Sequence, residues 1–158
     1  MTNQEDWRSK RGLVLASLLQ GPLTSSEITN LTGLERSEVE AILLSLAATR
    51  MVEEREMKGL LRKKTVYSLT ELGRQEAEAA KRELERVATE IRRRAEIGDD
   101  GGLQGLLTQY QLLVPMLLNL HLIDLMLLQG LGYALAGDQG LDFGEGGEEG
   151  GDDVDYEF

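Results

Sequence analysis

The sequence predicts a mostly helical protein that contains one small β-hairpin. Three short amphipathic segments lie within residues 6–49, a spacing that suits a compact cluster of helices. A stretch rich in Lys and Arg around a glycine then separates two short β-prone segments. A threonine and a long, charged helical pattern follow. Three helices, a hairpin and a fourth helix are the order of a winged helix-turn-helix head.

The three short helices are predicted from their apolar spacing and from the signals at their ends. The first covers Asp6–Gln20 and stops at Gly21-Pro22. The second starts at Thr24 and Glu27, a capping-box pair in which each side chain can satisfy a free amide of the first turn. The third covers Arg36–Thr49, with apolar residues at helical spacing.

The hairpin and the long helix are predicted from strand residues and from a cap. Met51–Glu56 and Thr65–Leu69 have the pattern of strands, and Met57–Lys64 is predicted as the loop, or wing, that joins them. A helix capped by Thr70 then extends to Ile97. Along it Ala77, Ala80, Leu84, Val87 and Ile91 recur at alternating gaps of three and four residues.

This narrow apolar stripe is typical of a two-stranded coiled coil. It is too narrow to be buried within its own domain, so we expect the long helix to pair with a second copy. Leu84, Val87 and Ile91 are the predicted contacts of that dimer.

The C-terminal part changes character twice. Gly98–Gly102 is predicted as a hinge, and Leu103–Ala136 as an apolar, Leu-rich helix with a kink at Pro115. From Gly137 onward the chain is Gly, Asp and Glu with few apolar residues, a composition that predicts disorder. The predicted units are a winged-helix domain, a dimerisation helix, a hinge, an apolar oligomerisation segment and an acidic tail, at residues 1–69, 70–97, 98–102, 103–137 and 138–158.

Within the apolar segment, Leu117, His121 and Asp124 are predicted oligomerisation residues. His121 and Asp124 are three residues apart and fall on the Leu-rich face, where they can form a buried polar pair that fixes the register of a helical bundle. A metal site and a proton switch are the less favoured alternatives.

A membrane anchor is the alternative for residues 112–128. The segment has 17 residues, the lower length limit for a span. It also contains Pro115, Asn119, His121 and Asp124, and a central Asp costs about 2.5–3.5 kcal/mol on an insertion scale. We therefore favour a helix outside the membrane. We also expect a cytoplasmic protein, since the chain opens without the pattern of a signal peptide.

The net charge of −11 is concentrated at the C-terminal end. Residues 1–97 contain all 17 Lys and Arg against 16 acidic residues, whereas residues 138–158 contain nine acidic residues and no cation. The predicted head is therefore close to neutral and can approach polyanions. The tail is interpreted as a solubilising extension; alternatives are a mimic of nucleic acid that occupies the cationic wing, and a dock for a basic protein partner.

The composition argues against an enzyme. The chain has no cysteine and a single histidine, which excludes thiolate metal sites and a His-rich site within one subunit. No nucleophile–base pair and no phosphate-binding glycine loop is recognisable. We expect no catalytic residue, no metal and no cofactor.

Three motifs resemble those of winged-helix transcription regulators of the MarR and PadR type. They are the run Leu15–Thr24, with the sequence LASLLQGPLT, the turn Thr32-Gly33-Leu34, and the run Tyr67–Arg74, with the sequence YSLTELGR. The resemblance covers residues 6–97. It implies a homodimer, or a higher homo-oligomer, that binds pseudo-palindromic double-stranded DNA, with the third helix in the major groove and the wing on the backbone.

The candidate DNA-binding residues follow from this placement. On the third helix, Arg36 can contact guanine through two hydrogen bonds, and Ser37 and Ser45 are smaller partners. Glu38 and Glu40 are unfavourable near phosphate. The wing provides five cations within ten residues, which can neutralise phosphates: Arg55, Lys58, Arg62, Lys63 and Lys64.

The sequence thus predicts a dimeric double-stranded DNA-binding protein, a transcription regulator. The alternative is a winged-helix module that binds other proteins or acts as a scaffold. In one form of this alternative, residues 112–128 anchor the module to a membrane. In either form the acidic third helix and the tail would recruit other factors and DNA would not be bound directly.

Overall fold

The computed structural model describes residues 3–59 and 62–129, which form a mostly helical fold with a two-stranded antiparallel hairpin. Side chains are described for residues 8–59 and 62–128. The elements, in chain order, are α1 Asn3–Ser17, α2 Ser25–Thr32, α3 Arg36–Ala48, β1 Val52–Lys58, β2 Lys63–Leu69, α4 Glu71–Glu96, α5 Asp100–Gln109, α6 Val114–Asn119 and α7 Leu125–Gln129, with a 3-10 turn at Leu18–Gln20 after α1.

The cap predicted for the second helix is confirmed. The Thr24 hydroxyl accepts a hydrogen bond from the Glu27 amide at 3.1 Å, and the Glu27 carboxylate accepts one from the Thr24 amide at 2.9 Å. These bonds satisfy two amides that have no partner within the helix. The helix ends at Gly33, whose φ of 78° is in the left-handed region that glycine adopts at low cost. The tight end of α2 sets the direction of α3.

The hairpin is longer than predicted. The pairing continues outward from Val52↔Leu69 to Lys58↔Lys63, so residues assigned to the loop belong to the strands. The turn is closed by the Gly59 amide, which donates to the Arg62 carbonyl at 2.8 Å. Continued backbone pairing, which depends little on side-chain polarity, explains why an outer half without apolar alternation still forms strands.

A further pairing was not predicted. Leu23, in the segment between α1 and α2, exchanges two backbone hydrogen bonds with Tyr67 of β2, at 3.1 and 2.8 Å. This bridge fixes the hairpin against the start of the helix-turn-helix segment. The order of three helices, hairpin and long helix is thus consistent with the predicted winged helix-turn-helix.

Helix α4 begins at its predicted cap, where the Thr70 hydroxyl accepts from the Gly73 amide at 3.1 Å. The prediction that its apolar stripe needs a second copy is wrong. Leu84, Val87 and Ile91 are at most 2% exposed within the single chain. The stripe is covered by α1 on one side and by α5 on the other, since the chain folds back after α4.

The turn after α4 is ordered by specific contacts. The Asp99 carboxylate accepts from the Gly102 amide at 2.9 Å, which caps α5, and pairs with the Arg94 guanidinium at 2.9 Å. Gly101 and Gly102 lie inside α5. The predicted hinge at Gly98–Gly102 is therefore a capped helix–helix turn in which Gly98 alone has a positive φ, 76°.

The single helix predicted for Leu103–Ala136 is also wrong over its described part, which contains α5, α6 and α7. Pro115 lies in the first turn of α6. At that position the missing amide of proline costs no hydrogen bond, so the residue starts a helix instead of kinking one. Leu117 is fully buried within the chain. It is therefore a core residue, because α6 packs against α2.

His121 and Asp124 do not form the predicted buried pair, because both side chains are exposed. Helix α6 ends at Asn119, and His121 follows in a turn with a φ of 61°. The Asp124 carboxylate accepts from the Leu127 amide at 3.2 Å, in the first turn of α7. Short helices joined by turns replace the continuous helix whose periodicity placed the two residues on one apolar face.

No helix in the described part of the chain combines the length and the apolar character that a bilayer crossing requires. The predictions for residues 130–158, which include the acidic tail, lie outside the described residues.

Candidate nucleic-acid interface

The central stripe of the exposed face of α3 is uncharged. The opposite side of the helix is buried through Val39, Ile42, Leu43 and Leu46. Residues 37, 41, 44 and 48 are spaced by three and four along the exposed side, so they form one stripe. This stripe, called here the α3 stripe, consists of Ser37, Ala41, Leu44 and Ala48.

Arg36 is the one cation of α3, and the structure engages it within the subunit. Its Nε donates to a Glu40 carboxylate oxygen at 3.1 Å, and its Nη1 donates to the Ser26 hydroxyl at 3.0 Å. The Arg36 and Glu40 side chains are 59% and 55% exposed, so the ion pair contributes little to stability. These two bonds engage two of the five N–H donors of the guanidinium and fix its position within the subunit.

The two serines predicted beside Arg36 differ in their surroundings. Ser37 is exposed in the first turn, whereas Ser45 is half-buried. The Ser45 carbonyl accepts from both the amide and the hydroxyl of Thr49, at 3.1 and 3.2 Å. Ser37 is therefore in the α3 stripe, and Ser45 is at its edge.

Glu38 faces away from the α3 stripe. Its carboxylate pairs with the Lys10 ammonium of α1, and this hydrogen bond lowers the pKa of Glu38. It also accepts from the Glu35 amide at 3.3 Å, at the start of the helix. The side chain links α3 to α1 and does not add negative charge to the stripe.

The five predicted hairpin cations divide between two faces. Arg55 and Lys64 share the face of Val66, and Lys58 and Lys63 share the opposite one, because side chains alternate along each strand. Arg62 lies in the turn. Acidic residues of β1 accompany both groups: Glu53 Oε1 is 4.0 Å from an Arg55 nitrogen, and Glu56 Oε1 is 4.0 Å from Lys63 Nζ.

At the end of the hairpin two lysines occupy directly opposite positions. Lys58 pairs with Lys63 across the strands, and Arg62 and Lys64 are their immediate neighbours. All four side chains are exposed. Like charges directly opposite each other destabilise a strand pair. We call these four residues, Lys58, Arg62, Lys63 and Lys64, the hairpin tip.

The surface between α3 and the hairpin is acidic. Tyr67 is partly buried there, and its pKa is raised by burial and by the nearby carboxylates of Glu54 and Glu40. Glu54 is directly opposite Tyr67 in the hairpin, and Glu40 belongs to α3. The hairpin cations thus lie between its middle, at Arg55, and its end.

A groove of about 990 Å³ lies between α1, α4 and the turn after α5. Its walls include Leu13, Leu84 and Leu113, and Gly12 faces Ala80 where the two helices approach. Sequence reasoning missed this feature because three distant segments form it. Among the described residues, no group of three His, Asp or Glu side chains could hold a metal ion.

The predicted site residues are therefore only partly brought together. The α3 stripe and the hairpin tip are exposed parts of one helix-turn-helix head, whereas the oligomerisation residues Leu84, Val87, Ile91 and Leu117 belong to its core. The signal that sequence reasoning missed is the uncharged character of residues 41, 44 and 48.

Comparisons with protein-family models and with curated proteins find no match for this chain. Among solved structures, the chain is similar to the adhesin competence repressor from Streptococcus pyogenes. The two share 18% sequence identity, with a TM-score of 0.41, over 70% of this chain and 68% of that one.

Proposed function

We propose that this protein binds double-stranded DNA through the α3 stripe and the hairpin tip, and that it acts as a transcription regulator. In this proposal α3 enters the major groove, which is wide enough to admit one helix. The hairpin tip then contacts the phosphates beside the groove, as the wing of a winged helix does.

The observation that supports this function best is the Lys58–Lys63 pair. Like charges at directly opposite strand positions are unfavourable, and the exposed Glu56 at 4.0 Å from Lys63 compensates only weakly. A polyanion removes the repulsion and releases its own counterions when it binds. The sequence places Arg62 and Lys64 at the same end, which concentrates four cations where a duplex backbone would run.

The test is a salt titration of binding to a pool of random-sequence DNA duplexes, followed by fluorescence anisotropy. The affinity of the full chain should fall steeply as the salt concentration rises. The double variant Lys63→Glu and Lys64→Glu should bind more weakly, and its salt slope should be smaller by about two for each bound subunit.

A charge-matched control separates the hairpin tip from a general effect of net charge. Lys81 and Arg82 are exposed on α4, and their replacement by Glu changes the net charge by the same amount. This control should bind as the unmodified chain does. The proposal is contradicted if the unmodified chain does not bind at low salt, and neither does a chain that ends at Gly137.

A protein-interaction module is the second candidate, and the acidic surface around Tyr67 favours it. Glu54 of β1 and Glu40 of α3 both lie near Tyr67, where they would repel a phosphate backbone. Such a module would give no binding to duplexes in the titration above, with or without the acidic residues 138–158. The same experiment therefore decides between the two functions.

A further inference from the structure

We propose that Leu44 recognises thymine bases by packing against their 5-methyl groups in the major groove. This inference rests on the proposed DNA binding and names what α3 selects. It assigns sequence recognition to an apolar contact instead of to the hydrogen bonds of Arg36.

Leu44 is 74% exposed, more than any other large apolar residue described. It lies in the middle of the α3 stripe, between side chains that are all small: Ser37, Ala41 and Ala48. Within the stripe the leucine side chain therefore projects beyond its neighbours, and the exposed Glu40, one turn earlier on the helix, lies beside the stripe and pairs with Arg36. In this position the apolar surface of the side chain is exposed to water. Contact with another apolar group would bury that surface, which is favourable.

The polar candidates on the same helix are less suited to read bases. Arg36 is held by Glu40 and by Ser26, and Ser45 is half-buried at the edge of the stripe. The residues at the centre of the exposed face are uncharged, and their one polar group is the Ser37 hydroxyl. An uncharged, largely apolar stripe cannot match the hydrogen-bonding edges of guanine or cytosine in the way that Arg or Glu does.

The major groove presents one apolar group that distinguishes bases, the 5-methyl group of thymine. A helix that enters the groove with a leucine at the centre of its leading face would meet this group. The cations of the hairpin tip argue for DNA as the occupant, since an apolar protein partner gains nothing from four exposed ammonium and guanidinium groups. A duplex that contains thymine is thus the ligand that fits both the α3 stripe and the hairpin tip.

The experiment removes the methyl group without changing the hydrogen bonds of the base. A random duplex pool is enriched on the full chain, and the enriched pool is then prepared once with thymine and once with uracil. We expect the uracil pool to bind more weakly by about fourfold for each contacted methyl group. In Leu44→Ala the affinity for the thymine pool should fall, and the ratio of the two affinities should approach one.

Two further variants make the outcome specific. Ile97→Ala removes another exposed aliphatic side chain, 63% exposed at the far end of α4, and should leave the ratio unchanged. The hairpin variant Lys63→Glu with Lys64→Glu should weaken binding to both pools equally. Because Leu44 is exposed, its replacement should not unfold the protein, which a thermal melt checks.

Failure of this inference and failure of the proposed function give different results. Equal affinity of the unmodified chain for the thymine and uracil pools, with steep salt dependence retained, overturns the role of Leu44 and leaves DNA binding in place. No binding to either pool at low salt overturns both. A ratio that persists in Leu44→Ala also overturns the inference, since another residue then reads the methyl group.

Discussion

The side-chain nitrogen of Asn119 lies 2.8 Å from the carbonyl oxygen of Leu31, 88 positions earlier in the chain. It also donates to the carbonyl of Asn30 at 3.2 Å. Both carbonyls are at the end of α2, where the last turn of a helix leaves acceptors without a partner. The end of α6 therefore caps the first helix of the helix-turn-helix pair, and α6 is part of the head.

Asn119→Ala should lower the free energy of unfolding by about 1 kcal/mol, the usual net contribution of hydrogen bonds of this kind. Chemical denaturation of the two proteins measures the difference. Gln104→Ala is the control, since Gln104 is an exposed amide on α5. Equal stability of the Asn119 variant and the unmodified chain would show that solvent caps α2 equally well.

Gly33→Ala should destabilise the protein more than Gly98→Ala. Both glycines have a positive φ, 78° and 76°, which costs a residue with a Cβ about 1–2 kcal/mol. Around Gly98 a Cβ would meet nothing within 4 Å, whereas at Gly33 it would lie 2.8 Å from the Pro115 Cβ. The overlap should add about 1–3 kcal/mol, and denaturation of the two variants gives the difference. Equal losses would mean that α6 does not press on this turn.

Leu84→Ala should lower the free energy of unfolding by about 2–5 kcal/mol, because it leaves a cavity in the core between α1 and α4. The loss should be the same at low and at high protein concentration, since the side chain is buried within one chain. Sedimentation and denaturation at several concentrations test this. If the loss of unfolding free energy grew on dilution, Leu84 would be a dimer contact and not a core residue.

Acid should weaken the end of α4 through Glu90. Hydrogen bonds from Arg93 and then Arg94 lower the pKa of Glu90 from its ordinary value of 4.5 to about 2. A carboxyl whose pKa is lower in the folded state stabilises the fold above its unfolded pKa, and this contribution disappears as the pH falls from 4.5 to 2. In Glu90→Gln the melting temperature should therefore depend less on pH within this window.

Glu78→Gln, on the same helix, is the control for the acid titration, because Glu78 has no ion-pair partner in the described part of the chain. It should keep the pH dependence of the unmodified protein. An identical slope in Glu90→Gln would contradict the assignment of the Arg93 and Arg94 contacts.

Lys58→Glu should make the fold more stable and DNA binding weaker. It places an acid opposite Lys63, which replaces a repulsion by an attraction worth about 0.2–1 kcal/mol. It also removes one cation from the hairpin tip. A thermal melt and a duplex titration measure the two effects, with Arg82→Glu as the charge-matched control, since Arg82 is exposed and forms no ion pair within the described part of the chain. Duplex affinity that survives the exchange would exclude the hairpin tip from the binding surface.

Features that depend on neighbouring residues were predicted well from the sequence. The caps at Thr24 and Thr70 and the start of α3 are confirmed, and α3 ends one residue before the predicted Thr49, since a cap and a helical period are contained within a few residues. The extent of the hairpin was predicted too short, because its outer half is held by backbone pairing without an apolar pattern. The candidate site was predicted by residue type, but the engagement of Arg36 by Ser26, ten positions away, was not.

The sequence by itself determined that a charged helix with an apolar stripe follows a basic hairpin, because periodicity and composition are properties of a short stretch of chain. Only the tertiary structure decided what covers that stripe. An apolar face can be buried equally well by a second copy or by a distant part of the same chain. The hydrophobic effect is non-directional, and it does not depend on where in the sequence the covering residues lie. Here α1 and α5 cover it, so that Val87 and Ile91 are core residues.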